Sequence, residues 1–268
     1  MATVARISIA PVKGLALVHP DEVSLEQTGV LANRRFHIVD ANGRRYNQLR
    51  NGALVQIKQA YEPEREHLTL TFPDGTVADG AIELGEEVTT DFYNRPVRGH
   101  FVEGPWADAL SQWAGRELRL IQSPPGAAVD RSRGHVSLVS RASLAELGRH
   151  GGQNGPVDGR RFRMLFELEH CDAHEEDGWV KRHVRIGESL VRLRGDVGRC
   201  AITTQNPETG VPDFDTLRTI KAYRPETANE KGKKHLPFGV YGEVVEPGRV
   251  AVGDPVEVVE LSLLEQTA

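Results

Sequence analysis

Several things are scarce in this chain of 268 residues, and each scarcity removes a class of protein. There are two cysteines, Cys171 and Cys200, too few for a disulfide framework, a cysteine-held iron–sulfur centre or a two-pair zinc site. No apolar run approaches the ~18 residues that span a bilayer. The opening residues, MATVARISIA, lack the charged and then long apolar pattern of a signal peptide. A cytoplasmic protein without membrane attachment is therefore expected, and a reducing compartment argues against pairing the two thiols. Strong charge of one sign is also missing. The net charge of −5 is spread along the chain, so no nucleic-acid partner is expected; Lys231, Lys233 and Lys234 read as a solvated loop. No heptad or apolar stripe forces assembly, and a monomer is expected.

What is present is a succession of short alternating segments. Val4 to Ile9 reads as a strand feeding a loop from which Lys13 projects. Val23 to Leu25 and Phe36 to Val39 follow, and Asn42-Gly43 predicts a hairpin with both central residues at positive φ. Leu54 to Gln59, His67 to Thr71, Ala81 to Leu84 and Val88 to Phe92 read as further strands, with a turn at Gly85-Glu86. Strands about ten residues apart predict a small barrel or sandwich. Trp106, Ala109, Leu110 and Trp113 have helical spacing, with Gly115 placed to end the helix; this helix is expected to open a second domain. Leu118 to Ile121 reads as a strand, Ser123 to Arg133 as a mobile loop, Val136 to Val139 as a strand, and Ser143 to Leu147 as a helix start.

The stretch RCAITTQNPETG, from Arg199 to Gly210, carries the chemistry. A thiolate is the soft ligand that molybdenum, copper or iron sites select, and Arg199 beside Cys200 favours that form. On ordinary grounds a lone cysteine at a strand end is a small buried hydrophobe, and both readings stand at this point. His174, amid Glu175, Glu176 and Asp177, reads either as part of a cation site or as a solvent-facing charged turn.

The ordered motifs Arg199-Cys200, Thr203-Thr204, Asn206-Pro207-Glu208-Thr209-Gly210, Phe238-Gly239-Val240-Tyr241 and Val252-Gly253-Asp254 resemble the closing half of a MOSC domain. Pro11-Val12-Lys13 and Arg35-Phe36 resemble the β-barrel domain that commonly precedes it. The whole, over about residues 4 to 262, is similar to the mitochondrial amidoxime reducing components and their bacterial relatives. The resemblance implies a protein mainly β with some α (α+β): an N-terminal small β-barrel domain, residues 1–98, and a β-barrel MOSC domain with flanking helices, residues 99–268. It implies molybdenum cofactor (molybdopterin) held between the domains, with Cys200 as catalytic residue and metal ligand, and Lys13, Arg35, Ser143, Arg161, Arg163, Arg199, Thr203 and Thr204 as cofactor contacts. Pyridoxal phosphate is not expected. The implied reaction is reduction of small N-hydroxylated substrates, with electrons from a separate reductase.

Three departures bear on this. Met164-Leu165 stands where the family has Pro-Asn, Asn206 where it has Asp, and Arg141 where it usually has an acidic residue. If Leu165 faces the cofactor, a hydrogen-bonding group has been lost; if it begins the apolar run of Phe166 and Leu168, it belongs to the core. A persulfide-carrying Cys200, or a cofactor-free descendant acting as a lyase or binding protein, are the alternatives.

Overall fold

The computed structural model describes residues 1–129, 133–228 and 232–260. Lys231, residues 130–132 of the loop after Ser123, and residues 261–262 lie outside the described residues. Among the described residues strands predominate, with three helices, α1 (Trp106–Ala114), α2 (Arg141–His150) and α3 (Thr216–Tyr223), so the fold is α+β as the resemblance implied.

Seven strands close into a barrel. Round its wall they run Ala2–Ile7, Phe166–Glu169, Val136–Ser140, Pro237–Glu246, Ser189–Gly198, His183–Ile186 and Pro255–Val259, which pairs again with the first. Alternation builds it: Val4 and Ile7, Leu138, Leu168, Val191 and Val240 point inward and are fully buried. Burying each such side chain contributes about 1.5–3 kcal/mol. The first strand of the chain thus belongs to the barrel and not to the unit that follows it in sequence.

That unit, the first in sequence, has a five-stranded sheet and a three-stranded one around their own core. Phe36–Asp40 and Pro96–Glu103 flank Leu118–Gln122 in the larger sheet; Lys58–Glu62, His67–Thr71 and Val77–Ala81 make the smaller. Helix α1 ends at Gly115 in the left-handed conformation, φ 64°, where expected. It packs differently from expectation, however. Trp106 and Leu110 lie about one turn apart on one face and enter this core beside Leu68 and Phe72. The Trp106 indole N–H donates to the Leu68 carbonyl at 3.1 Å. Helix α1 therefore completes the first unit instead of opening the second, and a division at residue 98/99 would cut the Pro96–Glu103 strand.

Local expectations also shift. Leu54 to Gln59 is not one strand: Asn51 caps a 3₁₀ turn, Gly52–Gln56, by accepting from the Ala53 N–H, and Lys58–Glu62 follows. Gly85-Glu86 is an irregularity inside the long strand Glu83–Asp91 rather than a turn. The Asn42-Gly43 hairpin forms, pairing Ile38 with Tyr46, yet of its two central residues Gly43 alone has positive φ. Asp40 Oδ1 accepts from the backbone N–H groups of Asn42 and Arg44, each at 3.0 Å, a carboxylate-held turn that needs left-handed backbone at one residue only.

Candidate functional site at the seam of the two units

The Ser189–Gly198 strand delivers Arg199 and Cys200 to the barrel rim. Cys200 keeps extended backbone and caps the 3₁₀ turn Ala201–Thr204. Its carbonyl accepts from Thr203 twice, from the backbone N–H at 3.1 Å and the hydroxyl at 3.0 Å. Thr204 Oγ1 donates to the Ala201 carbonyl at 2.7 Å. Both threonine protons are spent on the turn, so these residues shape the presentation of Cys200. Its side chain is exposed, which removes the buried-hydrophobe reading. Cys171 is half-buried against the barrel core; burial, then Glu176 and Glu175, push its thiol up to about 11.

The turn Gly159–Phe162 with Arg163 and Met164 holds Arg160, Arg161 and Arg163 and meets Arg34 and Arg199, five arginines in all. Arg199 donates to the Phe238 carbonyl at 2.8 Å through Nε, to the Phe162 carbonyl at 3.2 Å and to Met164 Sδ at 2.9 Å. Arg163 adopts φ 52° to end the turn, and its Nη2 crosses to the Leu15 carbonyl at 2.7 Å. Arg34 donates to the Arg163 carbonyl at 3.3 Å. Buried Arg161 reaches the Thr204 carbonyl at 3.2 Å and pairs with Asp213 at 2.6 Å, which holds that carboxyl below its ordinary range.

Lys13 and Arg35 stand apart from this group. Lys13 Nζ donates to the Ala128 carbonyl at 3.1 Å and lies over the Phe92 ring, and Arg35 donates to the Ser123 carbonyl. With Arg95, which donates to the Ala127 carbonyl at 2.8 Å, they pin the 123–129 part of the expected mobile loop to the first unit. His37 lies beneath, bonded to Ser123 and Thr90; burial, with Lys13 and Arg45 nearby, pushes it down to about 3.

Ser143 is placed elsewhere again. The N-cap of α2 is Ser140, whose hydroxyl accepts from the Ser143 N–H at 3.0 Å. Ser143 Oγ donates to Glu176 Oε1 at 2.9 Å and accepts from the His174 N–H at 2.8 Å, so it serves a buried network rather than an open anion site. The turn Glu175–Trp179 is solvent-facing only in part: Glu175 is exposed and Asp177 half-buried, while Glu176 is fully buried, its carboxyl raised by that burial. His174 packs edge-on to Phe238 and against Tyr223; burial, then Arg224, pushes it down to about 4.

Between the units lies a cleft of about 510 Å³. Arg160, Arg161, Arg163 and Gln205 line it from the barrel side, Lys58 and Gln48 from the other, and His19 stands at its end. Gln205 Nε2 donates across the seam to the Gln48 carbonyl at 2.9 Å, and Gly52 meets Gly210 so closely that a Cβ on either would fall on the other's carbonyl oxygen. Two polar atoms of the cleft residues, Arg161 Nε and Gln205 Oε1, are buried without a hydrogen-bond partner. Buried polar groups ordinarily have partners, so a donor and an acceptor left over in one cationic cleft fit an anionic ligand that also hydrogen-bonds. Cys200 is not among the lining residues; Ile202, two positions on, is. Sequence reasoning missed His19, Gln48, Arg160 and Gln205, of which only the last two had a signal, by adjoining motif residues.

The departures have physical accounts. Leu165 is buried in the barrel core, its N–H bonded to Ser137 Oγ at 3.0 Å, so the cofactor-facing reading of Leu165 does not hold. Met164 supplies a sulfur acceptor to Arg199. Asn206 Oδ1 accepts from the Glu208 and Thr209 N–H groups, as an aspartate would, while its Nδ2 donates to Asp213 at 2.8 Å, where a second carboxylate would repel. Arg141 pairs with Glu167 at 2.9 Å and Glu169 at 2.5 Å.

A closed barrel, a companion two-sheet unit and a rim cysteine beside a cationic seam define a class, and the comparisons name it. The chain belongs to the MOSC-domain family: residues 127–257 match the MOSC domain and residues 1–118 the MOSC N-terminal beta barrel domain. The gap between the two matches, residues 119–126, takes in most of Leu118–Gln122, the last strand of the first unit. The chain is 26% identical to mitochondrial amidoxime-reducing component 1 of Homo sapiens, over 96% of this chain and 82% of that protein. It is 36% identical to mitochondrial amidoxime reducing component 2 of Bos taurus over 45% of this chain and 36% of that protein. Among solved structures, the YUAD protein from Bacillus subtilis aligns over 98% of both chains at 12% identity with a TM-score of 0.46.

Proposed function

We propose that this protein reduces small N-hydroxylated compounds with molybdenum cofactor held at the seam, Cys200 being the protein's thiolate ligand to the metal. The observation that carries the reading is the cationic cleft with its two unpartnered buried atoms, a few residues from an exposed cysteine; the names of the relatives agree with it. Arg161 and Arg163 are the cations assigned to the cofactor's anionic end, since a guanidinium matches phosphate oxygens with a planar fork. Arg199 braces the turn that carries them. Lys13 and Arg35 act by fixing the 123–129 segment, and Thr203 and Thr204 by holding the Cys200 turn. When bound, the cofactor supplies the two-electron couple for removing oxygen from an N–O bond. Two electrons and two protons then convert the hydroxylamine group to amine and water, with a separate reductase as electron source.

Protein made in a cofactor-producing host and given a chemical reductant should convert benzamidoxime to benzamidine, followed by chromatography. Cys200→Ser should fall to background while Cys171→Ser keeps most of the activity. Equal loss in both variants, each still folded, would overturn the assignment of Cys200. Sulfane sulfur on Cys200 without molybdenum would instead identify a persulfide carrier.

A further inference from the structure

A second cavity, about 460 Å³, adjoins the cleft and shares His19 and Arg160 with it; its walls include Arg6, Arg141, Asp158 and Glu167. Both acids are already committed within the chain. Glu167 takes Arg6 on one oxygen and Arg141 Nε on the other, the latter at 2.9 Å. Asp158 takes Arg160 through Nε at 2.9 Å and Nη2 at 2.6 Å. The arginines are not exhausted in return. A bulge between Val4 and Arg6 sets Arg6 opposite Glu167, and Arg6 Nε is buried without a hydrogen-bond partner, although a guanidinium N–H in such a place ordinarily finds an acceptor. Arg141 spends Nε and Nη1 on Glu167 and Glu169, and its side chain is about half exposed. At the junction, His19 Nδ1 lies 3.1 Å from the Ile7 carbonyl. A carbonyl can only accept, so the Ile7 contact requires the proton on Nδ1, with Ser8 Oγ, 3.1 Å from the same nitrogen, as its second acceptor; in that tautomer Nε2 offers a lone pair.

We propose that this cavity receives the far end of the substrate, and that the substrate is an N-hydroxylated compound bearing a carboxylate. The carboxylate binds Arg6 and Arg141, and His19 accepts a proton donor, N–OH or N–H, where the two cavities meet. The N–O end of this assignment rests on the reductase reading; the carboxylate end rests on the arginines alone. Three guanidinium groups line the cavity against two carboxylates, and Glu169 and Glu208 pair with Arg141 and Arg160 from outside its lining, so an anion would be met by the N–H donors that Arg6 and Arg141 have left over and not by a net positive charge. An incoming anion is therefore favoured over a cationic amidine.

The test is titration calorimetry of the full chain with 4-carboxybenzamidoxime and with unsubstituted benzamidoxime. The carboxylated compound should bind about tenfold tighter or more, the range for a charge-assisted hydrogen bond. Arg141→Ala should remove most of that preference while leaving affinity for the uncharged compound unchanged, and Arg141→Lys should keep part of it; melting temperatures check that both variants fold. Equal affinities in the unaltered protein, a preference surviving in Arg141→Ala, or no binding of either compound each overturns the proposal. Binding is read without turnover, so the two readings fail separately. A charge preference in protein without reductase activity sinks the reductase alone, and turnover without a charge preference sinks the carboxylate site alone.

Discussion

Cys200 and Cys171 have the same side chain in opposite surroundings, one exposed on the barrel rim and one half-buried beside Glu176 with its thiol pushed up to about 11. Alkylation proceeds through the thiolate, so Cys171 stays protonated and slow until the pH approaches that value. Iodoacetamide near neutral pH should therefore label Cys200 and spare Cys171, with Cys171 labelling rising only in strong base. Parallel labelling of both, read by peptide mass, would contradict these placements. Leu165 makes the second residue-level case. It is buried in the barrel core, so Leu165→Asn buries an unpaired amide and should cost about 1–3 kcal/mol, seen as a lower melting temperature with no gain in molybdenum. Motif order made Cys200 and its neighbours legible in the sequence. The engagement of each hydroxyl was not: Thr203 and Thr204 bond within their own turn, and Ser143 with Glu176 from a distant turn, and neither follows from spacing.

At the scale of elements, the seam depends on two glycines that touch backbone to backbone. Gly210 has φ 74° and its Cα faces Gly52, leaving no room for a side chain on either. Gly210→Ala meets both obstacles, strained backbone and an overpacked contact, and should cost about 1–3 kcal/mol. Molybdenum retained after dialysis should fall too, since the two chain segments would have to part beside the cleft. A melting temperature and metal content equal to those of the unaltered protein would show that the seam is not this tight. Most strands and α1 could be read from periodicity, because one face of each is apolar. Leu54 to Gln59 could not, since a short apolar run reads alike as strand or turn and the decision lay with Asn51 capping the segment from outside it.

For the molecule as a whole, the order of residues hides how the two units interleave. Ala2–Ile7 closes the barrel between Phe166–Glu169 and Pro255–Val259, and Leu118–Gln122 completes the sheet begun by Phe36–Asp40. Both pairings join segments far apart in the chain, and local patterning carries no information about such partners. For the same reason the cleft was legible only as a set of basic motif residues, of which Arg161 and Arg163 line it while Lys13 and Arg35 pin a neighbouring segment. Binding of molybdenum cofactor at the seam through Cys200 is the proposal on which the chemistry of this protein turns. It is tested most directly by elemental analysis of protein purified from a cofactor-producing host, beside Cys200→Ser and Cys171→Ser. Stoichiometric molybdenum in the unaltered chain and in Cys171→Ser, with loss from Cys200→Ser, is the predicted result; no molybdenum in the folded, unaltered protein, or equal content in all three, would contradict it.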